Sequence, residues 1–345
     1  LVRMGHDVTL FASGDSQTSA ELVPCTPRAL RLVDGAVNLV PHHISMIERV
    51  GQRLADFDVV HFHIDLFHYP VVHSWDTPTV TTLHGRLDIP ELYDCYGVFR
   101  DVPLVSISNN QRLPLPPVNW VGNIYHGLPA DLLPYNETGG DHLVFLGRIS
   151  PEKRPDRAIE IAVRSGRRLI MAAKIDDVDR AYWESEIRPL VEQHEQISFI
   201  GEVNEQQKAE LLGNAGALLF PIDWPEPFGL VMIEAMSCGT PVVAWQNGSV
   251  REVMEDGVSG RVVDSMDEAV AAVDDVLGMD RAKVRSYFEE RFTVQRMASD
   301  YVRLFEELID KPRGGEAMPD ARIPRHTPTP PFARKPKGLG IATAA

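Results

Sequence analysis

The sequence predicts an α/β protein made of two doubly wound, Rossmann-like domains that face each other. Three observations lead there. Short apolar, β-rich runs alternate with segments of helical period, the pattern of parallel sheets covered by helices. The alternation breaks at 128–141, where LPADLLPYNETGGD is rich in Pro, Gly and Asn and reads as an interdomain linker. A chain of 345 residues, 44% hydrophobic and 24% charged, suffices for two domains with sizeable cores.

In the first half, strands are expected at 7–13 (DVTLFAS), 58–63 (DVVHFH), 79–85 (TVTTLHG), 103–109 (PLVSISN) and 121–127 (VGNIYHG). In the second they are expected at 142–148, 168–174, 197–203, 217–223, 240–245 and 260–264. Helical periods fall at 155–165, 179–194, 205–214 and 228–238, and three more close the chain at 267–278, 280–291 and 294–311. The expected domains are 1–137, with 294–311 packing back on it, and 138–293; residues 312–345 read as a disordered tail. LVRMG at the start reads as the last turn of a helix, with Gly5 as its C-cap. The first domain is therefore expected to be N-terminally truncated by one strand-loop-helix unit, about 30 residues.

A net charge of −15 argues against general nucleic-acid binding, which needs clustered cations. Residues 1–140 hold 8 Arg, no Lys and 15 acids, so no basic platform for anionic lipid is visible and stable membrane association is not indicated. No apolar run approaches the roughly 18 residues of a membrane span, and the opening segment lacks the features of a signal peptide. Cys25, Cys95 and Cys238 are odd in number and scattered, which argues against a disulfide framework. The expected compartment is the cytoplasm.

Open α/β sheets bind ligands at the carboxyl ends of their strands, here the cleft between domains. PIDWPEPFGLVMIEAMSCGTPVVAW (221–245) is the segment that carries chemistry. Pro225 and Pro227 stiffen the loop that presents Glu226. The following helix is expected from about Phe228 to Cys238, with Gly239 as its C-cap. Free amides in its first turn, Phe228-Gly229-Leu230-Val231, suit a diphosphate, and Gly229 permits close approach. Glu234 is the only charge between Pro227 and Ser249. A buried carboxylate needs dedicated donors; ligand hydroxyls, Arg251 or a backbone amide would each serve. His61 and His63 share one face of a strand without a third ligand at convincing spacing, so no metal site is expected. Asp56-Phe57-Asp58 and Asp177-Val178-Asp179 open a strand and a helix, and both D-x-D strings are read as incidental.

EPFGLVMIEAMSCGTPVVA resembles the E-x7-E segment of retaining glycosyltransferase family 4 (glycosyl transferases group 1), with Glu226 and Glu234 as its acids. FLGRISPEK resembles that family's G-R-x(4)-K segment through Gly147, Arg148 and Lys153, although Arg154 stands where the family usually has Gly. The resemblance spans about residues 1–310, strongest over 142–262. It implies the GT-B fold and transfer of a sugar from a nucleoside diphosphate sugar to a hydroxyl acceptor, with retention of configuration. Neither metal nor cofactor is implied. Arg148, Lys153 and residues 228–231 would hold the diphosphate, Glu226 would touch the donor sugar, and Glu234 would accept from the ribose. TLHG resembles the family's cleft-facing strand end and places His84 beside the sugar. Two rivals stay open: a nucleotide-sugar epimerase on the same fold, and a non-catalytic or fragmentary sugar-nucleotide-binding module. The base, the sugar and the acceptor (small molecule, glycan or lipid-linked) are not readable.

Overall fold

The computed structural model describes residues 1–33 and 37–310; the tail at 312–345 lies outside the described residues. In the first half, β1 (Thr9–Ser13) and β2 (Glu21–Thr26) form a two-stranded parallel sheet. A separate four-stranded parallel sheet runs in chain order through β3 (Val60–Phe62), β4 (Thr79–Thr82), β5 (Leu104–Ser106) and β6 (Trp120–Asn123). Helices α1 (Leu39–Gly51), α2 (Tyr69–Val72) and α3 (Pro90–Val98) accompany them. The sequence reading missed β2 and α1. Pro24 interrupts the β2 run and is tolerated because β2 is an edge strand. Val40, Ile44, Ile47 and Val50 of α1 recur at helical spacing, but of these only Ile47 and Val50 are buried.

The second half has a six-stranded parallel sheet of β7 (Leu143–Arg148), β8 (Leu169–Lys174), β9 (Ile197–Gly201), β10 (Ala217–Phe220), β11 (Val242–Trp245) and β12 (Gly260–Val263). Its spatial order is β12-β11-β10-β7-β8-β9. The helices are α4 (Pro155–Ser165), α5 (Arg180–Tyr182) and α6 (Arg188–Gln193) flanking a π turn, α7 (Glu205–Gly213), α8 (Leu230–Ser237), α9 (Val250–Val253), α10 (Met266–Leu277) and α11 (Arg281–Arg291). Alternation along β10 shows how both faces are covered. Ala217 and Leu219 enter the core beneath α4 and α10, whereas Leu218 and Phe220 enter the core beneath α7, α8 and α11. A strand buried on both faces reads as a continuous apolar run, as ALLF does.

The chain crosses between the halves twice, side by side. The Leu128 amide donates to Phe292 O (2.9 Å), and the Val294 amide donates to Leu128 O (2.9 Å). Beyond the second crossing, α12 (Val294–Asp310) lies on the first half. There Tyr301 and Leu304 pack with Val80, Val105 and Ile124, and the Tyr301 hydroxyl bonds Thr82 Oγ1 at 2.8 Å.

The Pro- and Gly-rich stretch read as a linker is fastened to the second half by Arg281, which is only 9% exposed. Its guanidinium donates to Asn136 O (2.7 Å), Ala215 O (2.9 Å), Gly213 O (3.0 Å) and Thr240 Oγ1 (2.8 Å). A planar fork with five N–H donors suits this cage of oxygens, and an ammonium does not. Arg281→Met should therefore leave several buried acceptors unsatisfied and cost about 2–4 kcal/mol of stability. Arg281→Lys should recover only part of it. Denaturant midpoints of the three proteins decide this, and a wild-type midpoint for the Met variant would refute it.

Candidate functional site

Strand order reverses between β7 and β10: the chain leaves β7 toward β8 on one side and leaves β10 toward β11 on the other. Helices diverge at such a point and leave a crevice at the carboxyl ends of the strands. A cavity of about 330 Å³ opens there. Gly147, Arg148, Lys153, Glu226 and the segment Pro227–Val231 line it from the second half, and His84, Ile107 and His126 from the first.

Lys153 ends a 3-10 turn, and Arg154 after it takes a left-handed conformation at φ 52°. That conformation explains the glycine usual at this place, and it costs an L-residue about 1–2 kcal/mol. Here Arg154 is held by a fork onto Asp156 (2.9 and 2.7 Å) and a contact to Asp223 (2.9 Å). Lys153 Nζ donates to the Glu226 carboxylate and lies 4.8 Å from the centre of the Trp224 ring. The Trp224 indole N–H also donates to Glu226, at 3.1 Å. Glu226 is thus an ionic, two-donor site on a loop stiffened by prolines. Arg148 pairs with Glu152 (3.1 Å) and Asp176 (3.6 Å), which hold the guanidinium at the strand end.

Helix α8 begins at Leu230, not at Phe228 as the sequence suggested. Gly229 is its N-cap, with φ 80°, and an added Cβ there would lie 2.7 Å from Met232 Cε. Phe228 turns inward instead, packing on Tyr125, His126 and Phe292. The first helical residues in the lining are therefore Leu230 and Val231. Glu234 is not in the lining. Its partner is Lys208 on α7, at 2.7 Å, with Lys208 also bound to Glu205. Arg251, one of the partners considered for Glu234, donates to Gln246.

From the first half, His84 follows β4 and stacks on His126 with ring centres 5.3 Å apart. Its Nε2 is 2.7 Å from His63 Nδ1, and His61 Nε2 is 2.7 Å from Thr82 Oγ1. Desolvation lowers the pKa of His84, opposed by the charge of Asp65. Desolvation and neighbouring histidines push His126 down to about 4. His63 falls to about 4 for the same reasons. All three rings are neutral at pH 7. The sequence reading missed His126 and Trp224. The one available signal was that His126-Gly127 repeats the strand-end His84-Gly85 pair.

Among the described residues, no three His, Cys, Asp or Glu side chains group as a metal site. Of the two D-x-D strings, Asp56 pairs with Arg53 and Asp177 with Arg180. No helix of the described residues is long and apolar enough to cross a membrane.

Two families match the chain. The one described as Glycosyltransferase Family 4 matches residues 1–120, and Glycosyl transferases group 1 matches 136–292. The chain is 29% identical to the D-inositol 3-phosphate glycosyltransferase of Mycolicibacterium smegmatis, over 77% of this chain and 73% of that protein. Two solved structures share the fold. AviGT4, a glycosyltransferase involved in avilamycin A biosynthesis, gives a TM-score of 0.64 at 22% identity, covering 89% of this chain and 86% of that one. Anabaena HepE in complex with UDP and glucose gives 0.64 at 17% identity, covering 76% and 81%. With its two parallel α/β halves and these matches, the chain belongs to the family 4, group 1 glycosyltransferases of GT-B fold.

Proposed function

We propose that the chain transfers a sugar from a nucleoside diphosphate sugar to a hydroxyl acceptor, with retention of configuration and without a metal. The observation that carries this reading is the convergence of Arg148, Lys153, the α8 amides, Glu226 and His84 on one cavity. Arg148, Lys153 and the amides of Leu230 and Val231 offer positive potential from one side, suited to a diphosphate whose charge grows as it leaves. Glu226, held between Lys153 and Trp224, accepts from sugar hydroxyls near the reacting carbon. Neutral His84 reaches the sugar from the opposite half. As the bond from the anomeric carbon to phosphate oxygen breaks, the acceptor oxygen bonds that carbon on the same face. The acceptor's proton passes to the departing phosphate oxygen. HepE was crystallised with UDP and glucose, which supports a donor of this class. Glu234, outside that cavity and steadied by Lys208, accepts from ribose hydroxyls of a nucleotide that extends beyond it along α8. Three free thiols favour a reducing compartment, and we place the reaction in the cytoplasm.

Glu226→Gln should lower kcat with little effect on nucleotide affinity, whereas Glu234→Gln should weaken nucleotide binding and spare kcat. Steady-state kinetics and calorimetry with UDP, GDP and ADP test both; wild-type behaviour of the two folded variants would overturn the assignment.

Activity should survive EDTA, and Arg148→Ala should cost about 2–4 kcal/mol of transition-state stabilisation, the scale for one preorganised donor. Loss of turnover on chelation, restored by magnesium or manganese, would replace this mechanism with a metal-clamped diphosphate.

The acid side of the pH profile follows from His84. Its pKa is lowered below 6.5 by desolvation, so the midpoint of the acid-side fall in kcat should lie below 6.5. The Asp65 carboxylate raises that pKa, so Asp65→Asn should move the decline to still lower pH. A decline centred above 6.5, or a shift of the opposite sign, would contradict this.

A further inference from the structure

Glu226 and His84 belong to different halves, so their separation depends on what joins those halves at the cleft. A continuous hydrogen-bonded path connects them. On the second-half side, the Ser249 amide donates to Glu226 O (3.0 Å), and Ser249 Oγ donates to Phe228 O (2.9 Å). Gly248 lies so close that a Cβ there would sit 2.3 Å from the Glu226 nitrogen. The short helix α9 starts from this contact, and the Glu252 amide donates back to Ser249 O at 2.8 Å.

Glu252 then reaches across. Its carboxylate accepts from the amides of Asn109 and Asn110 (2.7 Å each), from Asn109 Nδ2 (3.1 Å) and from the Tyr125 hydroxyl (3.0 Å). Those amides open the 3-10 turn Asn110–Arg112, where a carboxylate also meets the positive end of the peptide dipoles. Gln111, 4% exposed, sits inside that turn. Its Nε2 donates to Leu83 O (3.0 Å) and Gly85 O (2.9 Å), the carbonyls on either side of His84. Its Oε1 accepts from the Ile107 amide at 2.9 Å.

We propose that Glu252 and Gln111 are positioning residues, two links of a strut across the cleft that sets His84 against the Glu226 loop. The claim rests on the reading of Glu226 and His84 as sugar-facing groups. The diphosphate site belongs to the second half alone, so cutting the strut should disturb the chemical step and leave nucleotide binding intact. Misplacement of about 1 Å in a reacting constellation costs up to about 100-fold in rate.

The test compares Glu252→Gln, Gln111→Met and the double variant in the full chain. Glu252→Gln keeps the size and loses the charge, placing an NH2 against amide donors. Gln111→Met lies wholly in the first half and carries the same test if the other variant fails to fold. Each single change should lower kcat about 10–100-fold while the Kd for UDP, GDP or ADP, whichever binds wild type, stays within about twofold. The double variant should be no worse than the poorer single one, because both cut one path. A second readout needs no turnover: spin labels at Val98→Cys and Val178→Cys, 71% and 87% exposed, in a Cys25→Ser, Cys95→Ser background. The distance distribution between halves should broaden in each strut variant. An unchanged distribution, additive losses in the double variant, or parallel loss of kcat and nucleotide affinity would each overturn the strut. A wild-type chain that transfers no sugar would instead overturn the functional reading, with the label distances still deciding the strut.

Discussion

Helices that cover opposite faces of a parallel sheet must diverge where the strand order reverses, and β7 and β10 are the strands at which this happens. Every second-half group of the candidate site is attached to that divergence. β7 ends on Gly147 and Arg148, the turn after it carries Lys153, and the loop after β10 carries Trp224 and Glu226 before α8 begins. A crevice formed by topology costs no buried side chain to keep open. The left-handed backbone at Arg154 and at Gly229 lets each chain turn sharply enough to line it.

The charge of the whole chain does not describe this crevice. The chain carries −15, yet the cavity gathers Arg148, Lys153 and the free amides of α8. Charges beyond a Debye length of about 8–10 Å are largely screened, whereas groups lining a shared cavity are not. Each cation has a carboxylate of its own, Glu226 for Lys153 and Glu152 for Arg148. Such pairs hold long side chains in place and leave further donors on each cation for a ligand.

The first half reaches the same crevice from the opposite side, and its grip on the second is concentrated in a few contacts. Paired crossings at Leu128 and Phe292 join the halves at one place, and α12 returns to bury Tyr301 and Leu304 against the first sheet. Glu252 adds a polar link at the cleft itself. Ile107 and Tyr125 of the first half pack into an apolar cluster of the second, while hydrogen bonds with defined directions set the register of the halves. Directional contacts suit that task because they fail when displaced by a fraction of an ångström.

What the sequence determined by itself is everything encoded over a short stretch of chain. The six second-half strands were legible: a doubly buried one such as Ala217–Phe220 is an unbroken apolar run, and the edge strand Ile197–Gly201 alternates. The family resemblance singled out Arg148, Lys153, Glu226 and His84 through short local motifs, and the structure brings all four to one cavity. β2 was not, since Pro24 breaks its run, and α1 was missed although Val40, Ile44, Ile47 and Val50 recur at helical spacing. Tertiary structure alone decided the partners: Lys208 for Glu234, 26 residues away, His126 beside His84, and Asn109 for Glu252, 143 residues away. Periodicity reports which face of an element is buried, but a side chain's partner depends on how separate elements dock, and sequence separation carries no measure of that.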